Sequence, residues 1–202
     1  MAESSETQVR RSRRFVLREF QDRDSVVQVA TELGWPLERV TEPDHEAVQD
    51  LEILWKPGPG LALRYVEDFD ADESYVVVSG RNAEGVRGVE IYVEARLPAW
   101  SLDDLVRKVD EASTDEERAQ NVLRLGLGAP IEMRDDFVRR ISDAIQDKSL
   151  YVRQAGVWAV AHAEWPVLLP LVRQVAENDP EEEIRDDAMT IVDVFGEAGM
   201  EG

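Results

Sequence analysis

With 202 residues, 43% hydrophobic and 33% charged, the chain is long enough for one large or two small folded units and too rich in aliphatics to stay disordered. Its 43 acidic against 23 basic residues give a formal charge of −20, a field that repels phosphate backbones and anionic lipid. Nucleic-acid and membrane-surface binding are therefore not expected, whereas a basic protein partner is favoured.

The absence of cysteine excludes disulfides, thiol catalysis and the common zinc sites. The polar start and the lack of an apolar run of about 18 residues predict neither a signal peptide nor a membrane span. Twenty arginines against three lysines is the bias of a GC-rich coding genome. A bacterial-type protein of the cytoplasm is expected.

Residues 1–12 read as a flexible tail that delivers Arg10, Arg11, Arg13 and Arg14. That cluster suits either a partner contact or neutralisation of carboxylates beside a first strand, predicted over Phe15–Phe20. A helix follows from Asp24-Ser25, with Ser25 and Gln28 spaced as a capping box, an apolar face of Val26, Val29, Ala30 and Leu33, and a stop at Gly34. Residues 36–50 carry no clear pattern.

From Leu51 the period becomes two: Leu51, Ile53 and Trp55, a turn over Lys56–Gly60, then Leu61, Leu63 and Tyr65. Tyr75–Val78 reads as a short strand and Gly80–Gly88 as a loop. Val89, Ile91, Val93, Ala95 and Leu97 alternate with Glu90, Glu94 and Arg96 and predict a further, half-buried strand. Residues 13–98 are thus expected to form an α+β domain, an antiparallel sheet with a helix.

After Pro98-Ala-Trp100 every pattern is helical, so residues 99–202 are expected to form an all-α domain. Ser101 with Asp104 and Thr114 with Glu117 are capping signals, and helices are predicted near 134–146, 150–162, 167–177 and 181–195. Asp179-Pro180 is a start signal and Gly196 a stop.

This half also repeats itself. Asp147, Val152-Arg153 and Gly156 return as Asp179, Ile184-Arg185 and Ala188, an offset of 32 residues at every position (147 to 179). One step back, Asp115 is present but Gln120-Asn121 replace the Val-Arg pair. Such a period marks a helical solenoid, whose hairpins bury their apolar faces only against their neighbours. The aspartate and the Val/Ile-Arg six residues on resemble the HEAT-like repeats, of the short type shared with phycobilisome lyases. The resemblance implies a structural ladder in which Asp147, Arg153, Asp179 and Arg185 pair from repeat to repeat. It also implies that the second helix of each pair lines a concave, partner-binding surface.

Tyr151, Gln154, Trp158 and His162 lie on one face of such a second helix. The stripe is either packed in the core or against the other domain, or it is an exposed site for a partner, since Tyr and Trp dominate binding hot spots. Asp68, Asp70 and Asp72 alternate like the start of a calcium loop, but Glu73 and Ser79 stand where the glycine and the bidentate glutamate are needed, so no metal site is predicted and a solvated hairpin loop is. His45 and His162 form no triad and no zinc site. No catalytic residue and no cofactor site is assigned.

HEAT-like repeats also carry DNA glycosylases and bilin lyases, but from Ser101 onward there are 11 basic and 23 acidic residues, the wrong field for DNA, and no motif selects the lyase reaction. The expected function is a non-enzymatic protein–protein interaction module, acting as an adaptor, a maturation or assembly factor, or an immunity-type inhibitor. The alternatives are an enzyme with carboxylates and Tyr75 or Tyr92 in a cleft between the domains, and an acidic mimic of nucleic acid.

Overall fold

A computed structural model describes residues 9–20, 22–44 and 49–199. The chain divides after Trp100 into two compact units. The first is α+β, the second all-α, and among the described residues no helix is long and apolar enough to cross a membrane.

The first unit runs β1 (Arg10–Arg11), β2 (Phe15–Val16), α1 (Arg23–Glu32), β3 (Leu37–Thr41), β4 (Leu51–Gly58), β5 (Leu61–Asp68), β6 (Glu73–Gly80) and α2 (Ala83–Arg96). The sheet is antiparallel in the order β1-β6-β5-β4-β3, with β2 also on β6. In β4 the alternation places Leu51, Ile53 and Trp55 in the core and leaves Glu52, Leu54 and Lys56 outward. Onto that buried face pack Val26, Val29 and Ala30 of α1 and Val86, Val89 and Val93 of α2.

Four expectations change here. The segment predicted as the clearest strand, Val89–Leu97, is the C-terminal part of α2, and the predicted Gly80–Gly88 loop contributes its first turns. Asn82 caps the helix by accepting from the Glu84 N–H. The buried set Val86, Val89, Val93 and Leu97 has helical spacing, whereas Ile91 and Tyr92 are half exposed, so the alternation was incidental. Residues 10–12, expected in the tail, join the sheet: Arg10 pairs with Gly80, and Ser12, itself buried, exchanges hydrogen bonds with Val78. The first helix starts earlier than its apparent box, because Asp22, rather than Ser25, caps it. Residues 37–41 form the edge strand β3, exposed along most of its length and for that reason patternless.

The predicted boundary at residue 98 moves to residue 100. Leu17 bridges Ala99, and Val16 accepts from the Trp100 N–H, so Pro98–Trp100 belong to the first unit. Arg13 stacks on Phe15 and Arg18 on Trp100, at 4.2 and 4.6 Å from the ring centroids. Burial lowers the Arg13 guanidinium, an effect that Glu94 and Glu90 partly offset.

The second unit contains α3 (Leu102–Glu111), α4 (Asp115–Leu127), α5 (Asp135–Ile145), α6 (Leu150–Ala163), α7 (Leu169–Asn178, entered through a 3₁₀ turn) and α8 (Glu182–Glu197). Consecutive helices pack as hairpins, α3 on α4, α5 on α6 and α7 on α8. Across the hairpins α3, α5 and α7 form one row, and α4, α6 and α8 another. Ser101 accepts from Asp104 N–H and Thr114 from Glu117 N–H, as their spacing predicts. The last helix continues through Gly196 to Glu197, and the left-handed turn after it falls at Gly199.

Two glycines permit the close approach of neighbouring helices. A Cβ on Gly126 of α4 would lie 2.5 Å from the Ala159 Cα of α6, and one on Gly156 would lie 2.7 Å from the Ile145 nitrogen of α5. Phe137, Val152, Val157, Ile184 and Phe195 fill the space between the rows.

Candidate protein-interaction surface

Of the four recurring residues Asp147, Arg153, Asp179 and Arg185, only Arg153 and Asp179 pair between hairpins. The Arg153 guanidinium donates to both carboxylate oxygens of Asp179, at 2.8 and 3.2 Å, and to the carbonyls of Asp147 and Lys148. Asp179 in turn accepts from the Glu181 N–H at the start of α8, and its carbonyl accepts from Arg185. Burial alone would raise the Asp179 carboxyl, but the Arg153 guanidinium and the Glu181 N–H outweigh it and hold the group below the usual range. The same pair raises Arg153. Only 4% of the Asp179 side chain and 12% of the Arg153 side chain are exposed.

The equivalent aspartate one repeat earlier, Asp147, pairs with Arg118 of α4 at 3.1 Å. Asn121, which occupies the ladder position in α4, donates to the Lys108 carbonyl instead. The degenerate first hairpin thus supplies its cation from three residues upstream, a member that the spacing did not reveal. Arg140 of α5 pairs with Asp110 of α3 and holds that carboxylate below the usual range. A recess of about 290 Å³ lies among Asp110, Arg118, Arg140, Asp143 and Asp147. A second, of about 310 Å³, is flanked by Leu171, Val175 and Pro180 beside the Arg153–Asp179 pair.

Two residues of the stripe on α6, Gln154 and Trp158, meet α8. Tyr151 is 57% exposed and Trp158 38% exposed, whereas Gln154 and His162 are half-buried. The Trp158 indole Nε1–H and the Gln154 side-chain amide both donate to one oxygen of Asp187, Oδ2, at 3.2 and 2.9 Å. Asp187 lies 33 residues after Gln154, and no spacing within either helix identifies it. It becomes visible only when α8 is packed against α6. Glu182, Glu183 and Asp186 are exposed on the first turns of α8, as is Glu181 just before it, and Leu150 of α6 and Met189 of α8 are open to solvent.

The other candidate residues are scattered. Asp68 folds back to accept from the Ala71 N–H in the turn between β5 and β6, and Asp72 adopts a positive φ of 53° there. Burial raises the Asp68 carboxyl, and burial followed by the neighbouring carboxylates raises Asp50, which accepts from the Phe69 N–H. Tyr75 is half-buried in β6 beside Arg14, and burial raises its hydroxyl. Tyr92 is on the exposed side of α2. His45 lies outside the described residues.

Comparison with known proteins finds no matching family, curated sequence or solved structure.

Proposed function

We propose that the second unit is a HEAT-like repeat module and that the protein works by binding a basic protein partner on the surface formed by the aromatic stripe of α6 and the acidic first turns of α8. In this role it is an adaptor, an assembly or maturation factor, or an immunity-type inhibitor. The observation that carries the reading is Trp158: an indole more than a third exposed, fixed through its N–H, on a helix packed into the unit. Large aromatic side chains held in one rotamer give binding energy with little entropy lost, which is why they anchor interfaces. The acidic turns beside it supply steering for a positively charged partner. The 32-residue recurrence and the Arg153–Asp179 link between hairpins support the repeat assignment.

The test is affinity capture from the source cell's lysate at low and moderate salt, with Trp158→Ala as control. A stoichiometric protein partner retained at moderate salt and lost with Trp158→Ala is the expected outcome, with the variant unfolding within about 2 kcal/mol of the parent because the indole contributes one hydrogen bond and a partly exposed ring. Capture unaffected by Trp158→Ala, or an empty capture, overturns it.

A further inference from the structure

We infer that Asp187 and Trp158 together form a receptor for one cationic side chain, an arginine in first preference, presented by the partner of the interaction surface proposed above, on which this inference rests. Other aspartates of this unit are held by arginines. Asp110 carries Arg140, Asp136 carries Arg134, Asp147 carries Arg118 and Asp179 carries Arg153. Asp187 is half-buried between α8 and α6, yet its carboxylate is held only by two neutral donors, both on Oδ2. Among the described residues no cation pairs with it, and Oδ1 carries no hydrogen bond from them.

The two arginines nearest in the repeat, Arg153 and Arg185, are committed to the Asp179 carboxylate and carbonyl. Two neutral donors orient a carboxylate without cancelling its charge. The unused oxygen therefore keeps its attraction for an incoming guanidinium or ammonium group. The surroundings select the same kind of ligand. The indole that anchors Asp187 is 38% exposed, and a cation near an indole face gains from its quadrupole. Glu183, one helical turn before Asp187, is exposed and has no ion-pair partner among the described residues. Tyr151, the most exposed aromatic of the stripe, offers a second ring. Arginine is favoured over lysine because its planar, weakly hydrated fork can bond Oδ1 while it stacks on a ring.

The full chain, labelled with ¹⁵N at its indoles, is titrated with the capped peptide Gly-Arg-Gly-Arg-Gly and with its citrulline analogue, which keeps the shape and removes the charge. The Trp158 indole signal is assigned by its loss in Trp158→Phe. The arginine peptide is expected to shift that signal, and Asp187→Asn to weaken binding about tenfold, the share of one charge-assisted bond with its cation–π contact. Asp193→Asn removes the same charge from an exposed position on α8 and is expected to change affinity less than about twofold, since an exposed charge is largely screened.

Should Asp187→Asn perturb the fold, Trp158→Leu serves as the second variant and is expected to weaken the arginine peptide while leaving its salt dependence in place. Equal losses in Asp187→Asn and Asp193→Asn, equal binding of the citrulline peptide, or an unmoved Trp158 signal would each overturn the receptor. None of these results touches the lysate capture, so a failed receptor and a failed interaction surface are told apart.

Discussion

At the scale of single residues, the consequences divide by burial. Arg153→Ala leaves the Asp179 carboxylate, 4% exposed, without its cation, and is expected to destabilise the second unit by about 3–5 kcal/mol. Arg118→Ala removes a partner whose side chain is 46% exposed and is expected to cost no more than about 1 kcal/mol. Chemical denaturation of the two variants checks the contrast, and similar midpoints would refute it. Gly126→Ala forces a methyl group into the Ala159 backbone of α6, and a loss of about 1–3 kcal/mol is expected in the same assay. The recurrence of Asp147 and Arg153 as Asp179 and Arg185 was legible because a period needs only the sequence, and of that set the structure pairs Arg153 with Asp179. Arg118 and Asp187 were not, since each is defined by a partner 29 to 33 residues away across a helix contact.

At the scale of elements, legibility followed the helical period rather than the cap: α5 to α8 have no side-chain cap and were readable, whereas α2, capped by Asn82, read as a strand. Ser101 and Thr114 announce α3 and α4 by chemistry that works within one turn. In α2 the segment Val89–Leu97 satisfies two periods at once, and only packing against the sheet chooses between them. A substitution pair separates the two periods. In a strand Ile91 and Val93 would share a face, but in the helix Ile91 is 54% exposed and Val93 is fully buried. Ile91→Asn is therefore expected to change stability by no more than about 0.5 kcal/mol and Val93→Asn by at least about 2 kcal/mol, read from urea midpoints. The exposed edge strand β3 escaped detection because no buried side imposes alternation on it.

At the scale of the whole molecule, the two units should answer acid in opposite senses. Asp110, Asp136 and Asp179 of the second unit lie below the ordinary carboxylate range when folded. Their stabilisation is complete above the unfolded pKa of about 4 and is lost as pH falls through the lower folded values. Asp50 and Asp68 of the first unit are raised by burial, so protonation favours that fold, and the advantage disappears as pH rises through their folded values. Amide hydrogen exchange between pH 6 and pH 3 is expected to show α6 to α8 losing protection before β4 to β6. The reverse order would contradict the assignment. The division into an α+β half and an all-α half was legible, although the last strand ends at Gly80 and α2 precedes Trp100, so the period changes before the units divide.

The pairing of Arg10 with Gly80 and of Phe15 with Val76 has a further consequence, for the time at which the protein is made. A ribosome adding 5–20 residues per second completes β6 on the order of 10 s after it has made β1. During that interval the arginine-bearing start of the chain has no strand to join, and it is open to whatever acidic surface the cell holds close to the exit tunnel. Closing the sheet then pairs this segment and buries Ser12, Phe15 and Val16, while Arg10 stays exposed.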